Sequence, residues 1–156
     1  MTDVFTRKKR SEIMSLVKNK DTAPERAVRS ILHRMGYRFR LQGSGLPGDP
    51  DIVLPRHKKV IFVHGCFWHG HKGCRRAARP SSNRRFWDRK LSINVERDKA
   101  DIKALRQMGW SVLVIWGCES RSTDIATRKL IRFMAYARTR RQVSRRALGL
   151  QGHTAN

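Results

Sequence analysis

The stretch DIVLPRHKKVIFVH, residues 51–64, decides the fold of this chain. DIVLP begins one apolar strand, PRHK turns the chain, and KVIFVH is a second strand that is almost continuously apolar. Such a run is typical of a strand that is buried on both faces of its sheet. Since a short turn joins the two strands, they are expected to be antiparallel neighbours. Asp51 and His64 then lie at the same end of the sheet.

Periodic segments on both sides extend this hairpin into an α/β domain. TAPE begins the first helix with a capping box, in which Thr22 and Glu25 satisfy each other's backbone N–H groups, and Gly36 ends that helix. The other elements are expected at 37–41 (strand), 86–108 (helix), 110–116 (strand) and from about Thr123 to Ala137 (helix). The order α-β-β-β-α-β-α predicts a mixed sheet flanked by helices in a single domain, residues 1–156.

The charge balance indicates a polyanionic partner. The 156 residues include 35 Lys and Arg against 12 Asp and Glu, which gives a net charge of +23. A field of that size destabilises the fold by self-repulsion unless a polyanion such as nucleic acid or an anionic membrane neutralises it. No segment has transmembrane length, and the start, MTDVFTRKKR, lacks the apolar stretch of a signal peptide. We therefore expect an intracellular protein that binds nucleic acid and no membrane; a ribosome-associated or nucleoid protein is the alternative.

The two ends of the chain are strongly basic. Residues 1–20 form an N-terminal arm that combines Lys and Arg with a short apolar pattern, to which Met14 belongs. Residues 138–156 form a tail that is rich in Arg and contains no acidic residue. Such a tail is expected to be loosely ordered without a partner.

HGCFWHGHKGC, residues 64–74, contains groups that usually hold a metal. An odd number of cysteines in a chain without an export signal argues against a framework of disulfides. Three thiolates and one neutral imidazole would complete a closed tetrahedral zinc site, which would tie this loop to the edge of the sheet. The ligands would be Cys66, Cys74 and Cys118 with either His69 or His71, and buried free cysteines are the alternative.

Carboxylates and imidazoles are expected to meet at the same end of the sheet. Asp51 opens one strand, His64 closes its neighbour, and Glu25 and His69 could join them there. An oxygen-rich site in basic surroundings suits Mg²⁺, which proteins hold by one or two carboxylates together with water and phosphate. The alternative is that Asp51 and Glu25 serve only as turn and capping residues.

These motifs resemble those of a known family. HGCFWH preceded by IFV, LPGDPDIV upstream and NVERD downstream closely resemble the very-short-patch-repair DNA mismatch endonucleases, from the basic arm through Cys118. The resemblance implies a restriction-endonuclease-like αβββαβ core with a zinc-stapled loop. It also implies Mg²⁺-dependent nicking on the 5′ side of the thymine in a T:G mismatch, which initiates very short patch repair. The protein would act as a monomer on double-stranded DNA in the bacterial cytoplasm, with other repair proteins as partners.

The resemblance also implies roles for individual residues. Asp51 and the backbone carbonyl of Val63 would bind the catalytic Mg²⁺, and His69 would transfer protons. The supporting residues would be Glu25, His64 and Asp98. The ligands of the structural Zn²⁺ would be Cys66, His71, Cys74 and Cys118. The residues in contact with DNA would be Met14, Phe67, Trp68, Trp87, Lys90 and Asn94. This chain departs from the family in the loop HGHKGC, where the second cysteine comes one residue later.

The aromatic residues explain why a loop would need a metal. A mismatched base step stacks poorly and opens more easily, and a ring inserted beside a base recovers about 1–3 kcal/mol per contact. A zinc-held loop would present Phe67 and Trp68 as a rigid wedge, with Trp87 as a third ring; core packing beside Phe86 is the alternative for Trp87. The basic residues expected on phosphates are Lys72, Arg75, Arg76, Arg79, Arg84 and Arg85. The alternative for several of them is a solvated position on the surface without contact to DNA.

Two other functions are compatible with the residues. One is a zinc-containing protein that binds distorted DNA without catalysis, against which Asp51, His64 and His69 argue. The other is a related restriction-type nuclease with a different target, which the altered loop leaves open.

Overall fold

The computed structural model describes Lys9, Glu12, residues 20–43 and residues 45–148, with side chains as far as Tyr136. The helices are α1 (Ala23–Arg34), α2 (Arg84–Gln107) and α3 (Thr123–Leu148). The strands are β1 (Arg40–Leu41), β2 (Ile52–Leu54), β3 (Lys59–His64) and β4 (Ser111–Trp116). Met14 and most of the N-terminal arm lie outside the described residues, so the wedge expected at Met14 stays a prediction.

The four strands form one mixed sheet in the order β1-β2-β3-β4. β1 pairs antiparallel with β2, and β2 pairs antiparallel with β3, which confirms the predicted hairpin. β3 and β4 run parallel, with His64 opposite Trp116 at their C-terminal ends. The loop after β3 and the residues after β4 therefore leave the sheet at the same edge.

The residues of the turn fix the register between β2 and β3. A short 3-10 turn covers Pro55–His57, and the backbone N–H of Lys58 donates to the carbonyl of Pro55 at 3.1 Å. Lys58 itself adopts the left-handed conformation, with φ 54°. The resulting register places Asp51, one residue before β2, beside the end of β3.

α1 begins and ends where its sequence predicts. Thr22 is the N-cap, and both hydrogen bonds of the capping box with Glu25 are present. Met35 is the C-cap, and Gly36 follows it with φ 79°, a conformation that glycine adopts without steric cost. The capping box fixes the Glu25 side chain at the N-terminal end of α1.

The alternation of side chains along β3 divides the core into two layers. Ile61 belongs to a cluster with Leu32 of α1 and residues of α3, whereas Val60 and Phe62 pack with Leu105 of α2. Successive residues of a strand point to opposite faces of the sheet, so helices are needed on both faces. The prediction that β3 is buried on both faces is confirmed. No helix in the described part of the chain combines the length and apolar content that a membrane crossing requires.

β1 is shorter than the predicted strand at 37–41. Only Arg40 and Leu41 join the ladder, while Tyr37 and Phe39 pack against the core from an extended segment. Alternating side chains thus identified the half-buried segment correctly but not the extent of its hydrogen bonding.

α3 is longer than predicted. Its backbone continues past Ala137 to Leu148, so the predicted end at Ala137 is wrong. Residues 138–148 contain neither Gly nor Pro, and their Arg, Gln, Ala and Leu residues favour helix. Residues 149–156 lie outside the described residues, and the loose order expected for the tail stays a prediction.

A lysine is buried at the start of β3. Lys59 is 1% exposed, and its Nζ donates to the backbone carbonyl of Phe133 on α3 and lies 4.4 Å from the centroid of the Phe133 ring. Burial lowers the pKa of Lys59 below its ordinary value, because the charged form is poorly solvated there. The protonated amine therefore costs the folded state some stability.

Lys59→Met is expected to raise the free energy of unfolding at pH 7 by about 1 kcal/mol, since an apolar side chain of similar length replaces a buried charge. The gain should shrink as the pH rises toward about 10, because the wild-type amine loses its proton in the folded state first and the wild type then gains stability. Urea unfolding at both pH values measures the difference, with the exposed Lys103→Met as control. Lower stability of Lys59→Met at pH 7 would show that the Phe133 contacts outweigh the cost of burial.

Candidate active site and metal centre

Asp51 lies at the edge of the sheet where β3 ends. Its Oδ2 accepts a hydrogen bond from the backbone N–H of Val63 at 2.6 Å. Burial raises the pKa of Asp51 to about 6, and the charge of Glu25 adds to the rise, whereas the Val63 hydrogen bond and the charge of Arg29 oppose it. At neutral pH the carboxylate is thus ionised in a place that disfavours its charge, and a bound cation would relieve that cost.

Two stacked imidazoles lie at the same edge of the sheet as Asp51. His64, the last residue of β3, is 7% exposed, and its ring stacks on that of His69 with centroids 3.9 Å apart and planes 11° apart. Burial, together with the neighbouring His69, lowers the pKa of His64 to about 4. His64 is therefore neutral at physiological pH. One of its ring nitrogens can donate a hydrogen bond and the other can accept one, without adding charge to the site.

A carboxylate orients His69. Nδ1 of His69 lies 2.5 Å from Oδ2 of Asp98 on α2. A carboxylate at Nδ1 keeps the ring proton there and leaves the lone pair of Nε2 free to accept another. This arrangement is typical of a general base. Because His69 is in the loop and Asp98 is on α2, the packing of the loop on α2 sets its geometry.

A cleft of about 1370 Å³ joins these groups. The N-terminal end of α1, the edge of the sheet, the loop after β3 and α2 enclose it. Glu25 is 4% exposed and lies in its wall while it also caps α1. Its capping role is therefore present, and its role at a metal stays a prediction. The predicted residues that line the cleft are Glu25, Asp51, Val63, His64, Trp68, His69, Trp87, Lys90, Asn94 and Asp98.

A second group of side chains has the composition of a metal centre. The ligand atoms of Cys66, His71, Cys74 and Cys118 all lie within 4.8 Å of one another. Nδ1 of His71 is 3.4 Å from Sγ of Cys118, close to the separation of roughly 3.5 Å between neighbouring ligands of a tetrahedral zinc ion. Burial and the two neighbouring thiols raise the pKa of Cys118 to about 11, whereas a hydrogen bond from the backbone of Arg76 lowers the pKa of Cys74. A cation would therefore be needed to hold Cys118 as a thiolate at neutral pH.

The structure places His71, and not His69, with the cysteines. The His71 ring stacks on Trp116 at the end of β4, with centroids 4.2 Å apart and planes 4° apart. Gly70 and Gly73 adopt left-handed backbone conformations, with φ 61° and 71°, which few other residues tolerate. Gly70 lies between His69 and His71, and the structure places these two histidines in different groups of side chains.

Three rings of the loop and α2 form one aromatic cluster. Phe67 contacts Trp68 and Trp87 with centroids 5.1 and 5.4 Å apart, and Trp68 lies 6.0 Å from Trp87. Nδ2 of Asn94 donates to the backbone carbonyl of Trp68 at 3.2 Å, which ties the loop to α2. Two rings of the cluster, Trp68 and Trp87, line the cleft.

Phe86 and Trp87 differ in exposure. Trp87 is 8% exposed and packs beneath the loop rings, whereas Phe86 is 57% exposed. Nζ of Lys90 lies 5.7 Å from the ring centroids of both Trp68 and Phe86. The packing role of Trp87, one of its two alternatives, is therefore present, and its contact with DNA stays a prediction.

The basic residues expected on phosphates lie on the surface. All six, Lys72, Arg75, Arg76, Arg79, Arg84 and Arg85, are exposed. Arg79 forms an ion pair with Asp88 of α2. The others leave a positive surface beside the aromatic cluster.

Some residues near the site were not predicted. Arg29 forms an ion pair with Glu25 at 2.8 Å, and their spacing of one helical turn could have indicated the pair. Trp116 stacks on His71, and its position next to Cys118 at the end of a strand was the available signal. Further residues that line the cleft are Lys20, Gln42, Asp49, Arg97 and Asp101.

Comparison with known proteins gives consistent matches. The family described as DNA mismatch endonuclease Vsr matches residues 2–76. The type II nicking enzyme V.XorIIP of Xanthomonas oryzae pv. oryzae is 50% identical over 119 residues, which cover 76% of this chain and 87% of the relative. The type II nicking enzyme V.NmeAIP of Neisseria meningitidis is 42% identical over 134 residues, 86% of this chain and 95% of the relative. The DNA mismatch endonuclease Vsr of Escherichia coli is 42% identical over 127 residues, 81% of each chain.

Proposed function

Because this chain belongs to the Vsr family of DNA mismatch endonucleases, we propose that it nicks double-stranded DNA on the 5′ side of the thymine in a T:G mismatch. Such a nick would initiate very short patch repair in the bacterial cytoplasm, with other repair proteins acting after the monomeric enzyme. The observation that carries the proposal is the convergence of Asp51, the His69–Asp98 pair and an aromatic cluster on one cleft.

The element order supports a restriction-endonuclease-like core. α1, β1, β2, β3, α2 and β4 follow one another as αβββαβ, and the sheet is antiparallel up to β3 and parallel from β3 to β4. The catalytic groups lie at one edge of this sheet, and the loop after β3 completes the site. Because Asp51 and His69 line one cleft, a phosphodiester bound there would lie between them.

Mg²⁺ fits the donors of the cleft. The Asp51 carboxylate and the Val63 backbone carbonyl would hold the ion, since Mg²⁺ prefers oxygen ligands and keeps several waters. When bound, Mg²⁺ would polarise the phosphodiester and neutralise developing charge. The raised pKa of Asp51 supports this assignment, because burial and the nearby Glu25 disfavour its charge more than Arg29 and the Val63 hydrogen bond favour it, and a bound cation would relieve that cost.

His69 would take the proton of the attacking water at Nε2. Asp98 would hold the ring orientation and the Nδ1 proton. The neutral His64 stacked on His69 excludes water from one face of that ring. Glu25 would orient water at the wall of the cleft.

Zn²⁺ fits the second group of ligands. Three thiolates and one imidazole make a closed set, which is typical of structural zinc and leaves no position for substrate. Zinc held by Cys66, His71, Cys74 and Cys118 would fix the loop that carries Phe67, Trp68 and His69. The metal would thus act on the reaction only through the shape of the loop.

The aromatic cluster would open the mismatched step. Phe67 and Trp68 would enter between base pairs, with Trp87 beneath them and Lys90 and Asn94 beside the mismatch. Met14 would enter from the opposite groove. The exposed basic residues after the loop, the arm and the tail would contact phosphates, which strengthens binding to all DNA and makes it sensitive to salt.

Trp68→Ala is expected to reduce opening of the mismatch and, through it, nicking, since the substitution leaves Asp51 and His69 in place. The loss of one stacked ring should cost roughly tenfold in the rate on T:G DNA, as base–aromatic stacking is worth about 1–3 kcal/mol. A fluorescent base analogue next to the mismatch reports opening, and a denaturing gel reports nicking. Tyr136→Ala removes an exposed ring of α3 and is the control. Unchanged fluorescence in Trp68→Ala would refute the role given to this ring.

A panel of labelled duplexes tests the choice of target. With Mg²⁺ present, we expect nicking of T:G DNA and little nicking of matched DNA or of other mismatches. Tight binding of T:G DNA without nicking would favour a binding protein. Nicking that depends on a matched sequence would favour a restriction-type nuclease.

A further inference from the structure

A partly buried arginine connects the N-terminus of α1 to the cleft. Arg29 lies one helical turn after Glu25, and its side chain is 15% exposed. Nη2 donates to Oε2 of Glu25 at 2.8 Å, and Nη1 donates to Oδ1 of Asp21 at 2.7 Å. The planar guanidinium thus bridges two carboxylates, a geometry that the compact ammonium group of lysine does not reproduce.

Arg29 makes these contacts at a cost. Its Nε is buried and has no hydrogen-bond partner among the described residues, and an unsatisfied buried donor destabilises a fold. Arg26 pairs with the same Asp21 from the surface, at 3.6 Å, without being buried. An ion pair that only stabilised the helix would not require burial. The partly buried Arg29, whose Nε is buried without a partner among the described residues, therefore calls for an explanation beyond helix stability.

Several donors hold the Glu25 carboxylate in one orientation. The hydroxyl and backbone N–H of Thr22 donate to Oε1 at 2.7 and 3.4 Å. The backbone N–H of Asp21 donates to Oε2 at 3.0 Å, beside the contact from Arg29. Glu25 lines the cleft and Arg29 does not, so Arg29 reaches the site through Glu25.

We propose that Arg29 is a positioning residue for Glu25. It would hold the Glu25 carboxylate in the orientation needed to accept a hydrogen bond from a water molecule bound to the metal in the cleft. The inference rests on the proposed function, because it takes Asp51 as the metal ligand. The charges of Glu25 and Arg29 both act on Asp51: Glu25 raises the pKa of Asp51 and Arg29 lowers it. Arg29 thus also offsets the repulsion between the two carboxylates.

Arg29→Lys tests the positioning role, because it keeps the positive charge and removes the bidentate fork. We expect the Kd for Mg²⁺ to rise about tenfold, the lower end of what loss of a partner of a metal-site residue costs. Isothermal titration calorimetry of the zinc-loaded protein with Mg²⁺, without DNA, measures it. Arg26→Lys is the matched control, since Arg26 contacts Asp21 but not Glu25, and its Kd should equal that of the wild type.

The same substitution in a Glu25→Gln background tests whether Arg29 acts through Glu25. There Arg29→Lys should add no further loss of Mg²⁺ affinity, since the effects of coupled residues are not additive. An equal loss in both backgrounds would overturn the inference, as would an unchanged Kd in Arg29→Lys. If melting shows that Arg29→Lys does not fold, Asp21→Ala is the second variant, since it removes the exposed carboxylate that binds Nη1 of Arg29. It should raise the Kd for Mg²⁺ by a smaller factor than Arg29→Lys. An unchanged Kd in Asp21→Ala would overturn the inference.

Nicking of T:G DNA, measured in parallel, separates this inference from the proposed function. A weaker Mg²⁺ affinity in Arg29→Lys, with a wild-type protein that does not nick T:G DNA, would refute the target and leave the role of Arg29 intact. Nicking by the wild type, with an unchanged Kd in Arg29→Lys, would refute the role of Arg29 and leave the target intact.

Discussion

Replacing Asp51 with alanine is expected to stop the nicking of T:G DNA while binding and opening of the mismatch continue. The polarising effect of a bound metal is worth several kcal/mol, so we expect the rate to fall about 10³-fold or more. Asp51 is not part of the aromatic cluster of Phe67, Trp68 and Trp87, so the substitution should leave the wedge intact. Gel-resolved nicking and fluorescence of a base analogue, recorded on the same samples, separate the two effects.

The fold should tolerate this change. Because burial raises the pKa of Asp51 to about 6, its ionised form costs stability at pH 7 that is absent below about pH 4, where the carboxyl is protonated in both states. Asp51→Asn keeps a side chain that can accept from the Val63 N–H, and its melting temperature at pH 7 should equal or exceed that of the wild type. Nicking at the wild-type rate by either variant would refute the catalytic role of Asp51.

His69→Ala, like Asp51→Ala, should still bind and open the mismatch but should nick it slowly. Loss of a proton-transfer group costs about 10²–10⁴-fold in rate. Asp98→Asn, which keeps the size of the side chain that orients His69, should lose less. A His69→Ala variant as fast as the wild type would show that another group accepts the proton.

Cys118→Ala is expected to abolish zinc binding and to destabilise the protein. Cys118 follows β4, whereas the other three proposed ligands lie in the loop after β3, so a zinc-bound Cys118 thiolate would connect that loop to the neighbouring strand β4. Structural zinc contributes about 10–16 kcal/mol of apparent binding energy in small metal-dependent domains, and loss of one of four ligands forfeits a large part of it. We expect nicking to be lost as well, since the loop holds His69 in place.

Metal analysis and thermal melting of Cys118→Ala measure the two effects together. The exposed Arg121→Ala, in the same turn, is the control. One equivalent of zinc retained together with an unchanged melting temperature would contradict the assignment of Cys118 as a ligand.

The fold was predictable wherever one physical pattern dominated. The apolar run of β3 predicted burial on both faces, and the short turn before it predicted the antiparallel pairing that places Asp51 beside Val63. The length of α3 is not predictable in this way, because a high density of Arg is typical of disordered tails, whereas the same residues also favour helix. The burial of Lys59 depends on α3 packing over the start of β3, which no local pattern indicates.

The candidate site was predictable in its residue types more than in its arrangement. His69 and His71 are two residues apart and chemically identical, and the structure places them in different groups of side chains. Phe86 and Trp87 are adjacent on α2, and the packing of the loop decides that Trp87 is buried and Phe86 exposed. Such choices depend on contacts between elements. The resemblance to a known family implied the choice between His69 and His71, whereas for Trp87 it implied only a contact with DNA.

The position of the nick tests the central claim most directly. Purified zinc-loaded protein is incubated with a duplex that contains one T:G mismatch, labelled in turn on each strand, with Mg²⁺ or with EDTA. The account predicts one product with Mg²⁺, cut on the thymine strand at the phosphodiester 5′ of the mismatched thymine, and no product with EDTA or with a matched T:A duplex. Cleavage of both strands, a cut elsewhere, or equal cleavage of the matched duplex would contradict it.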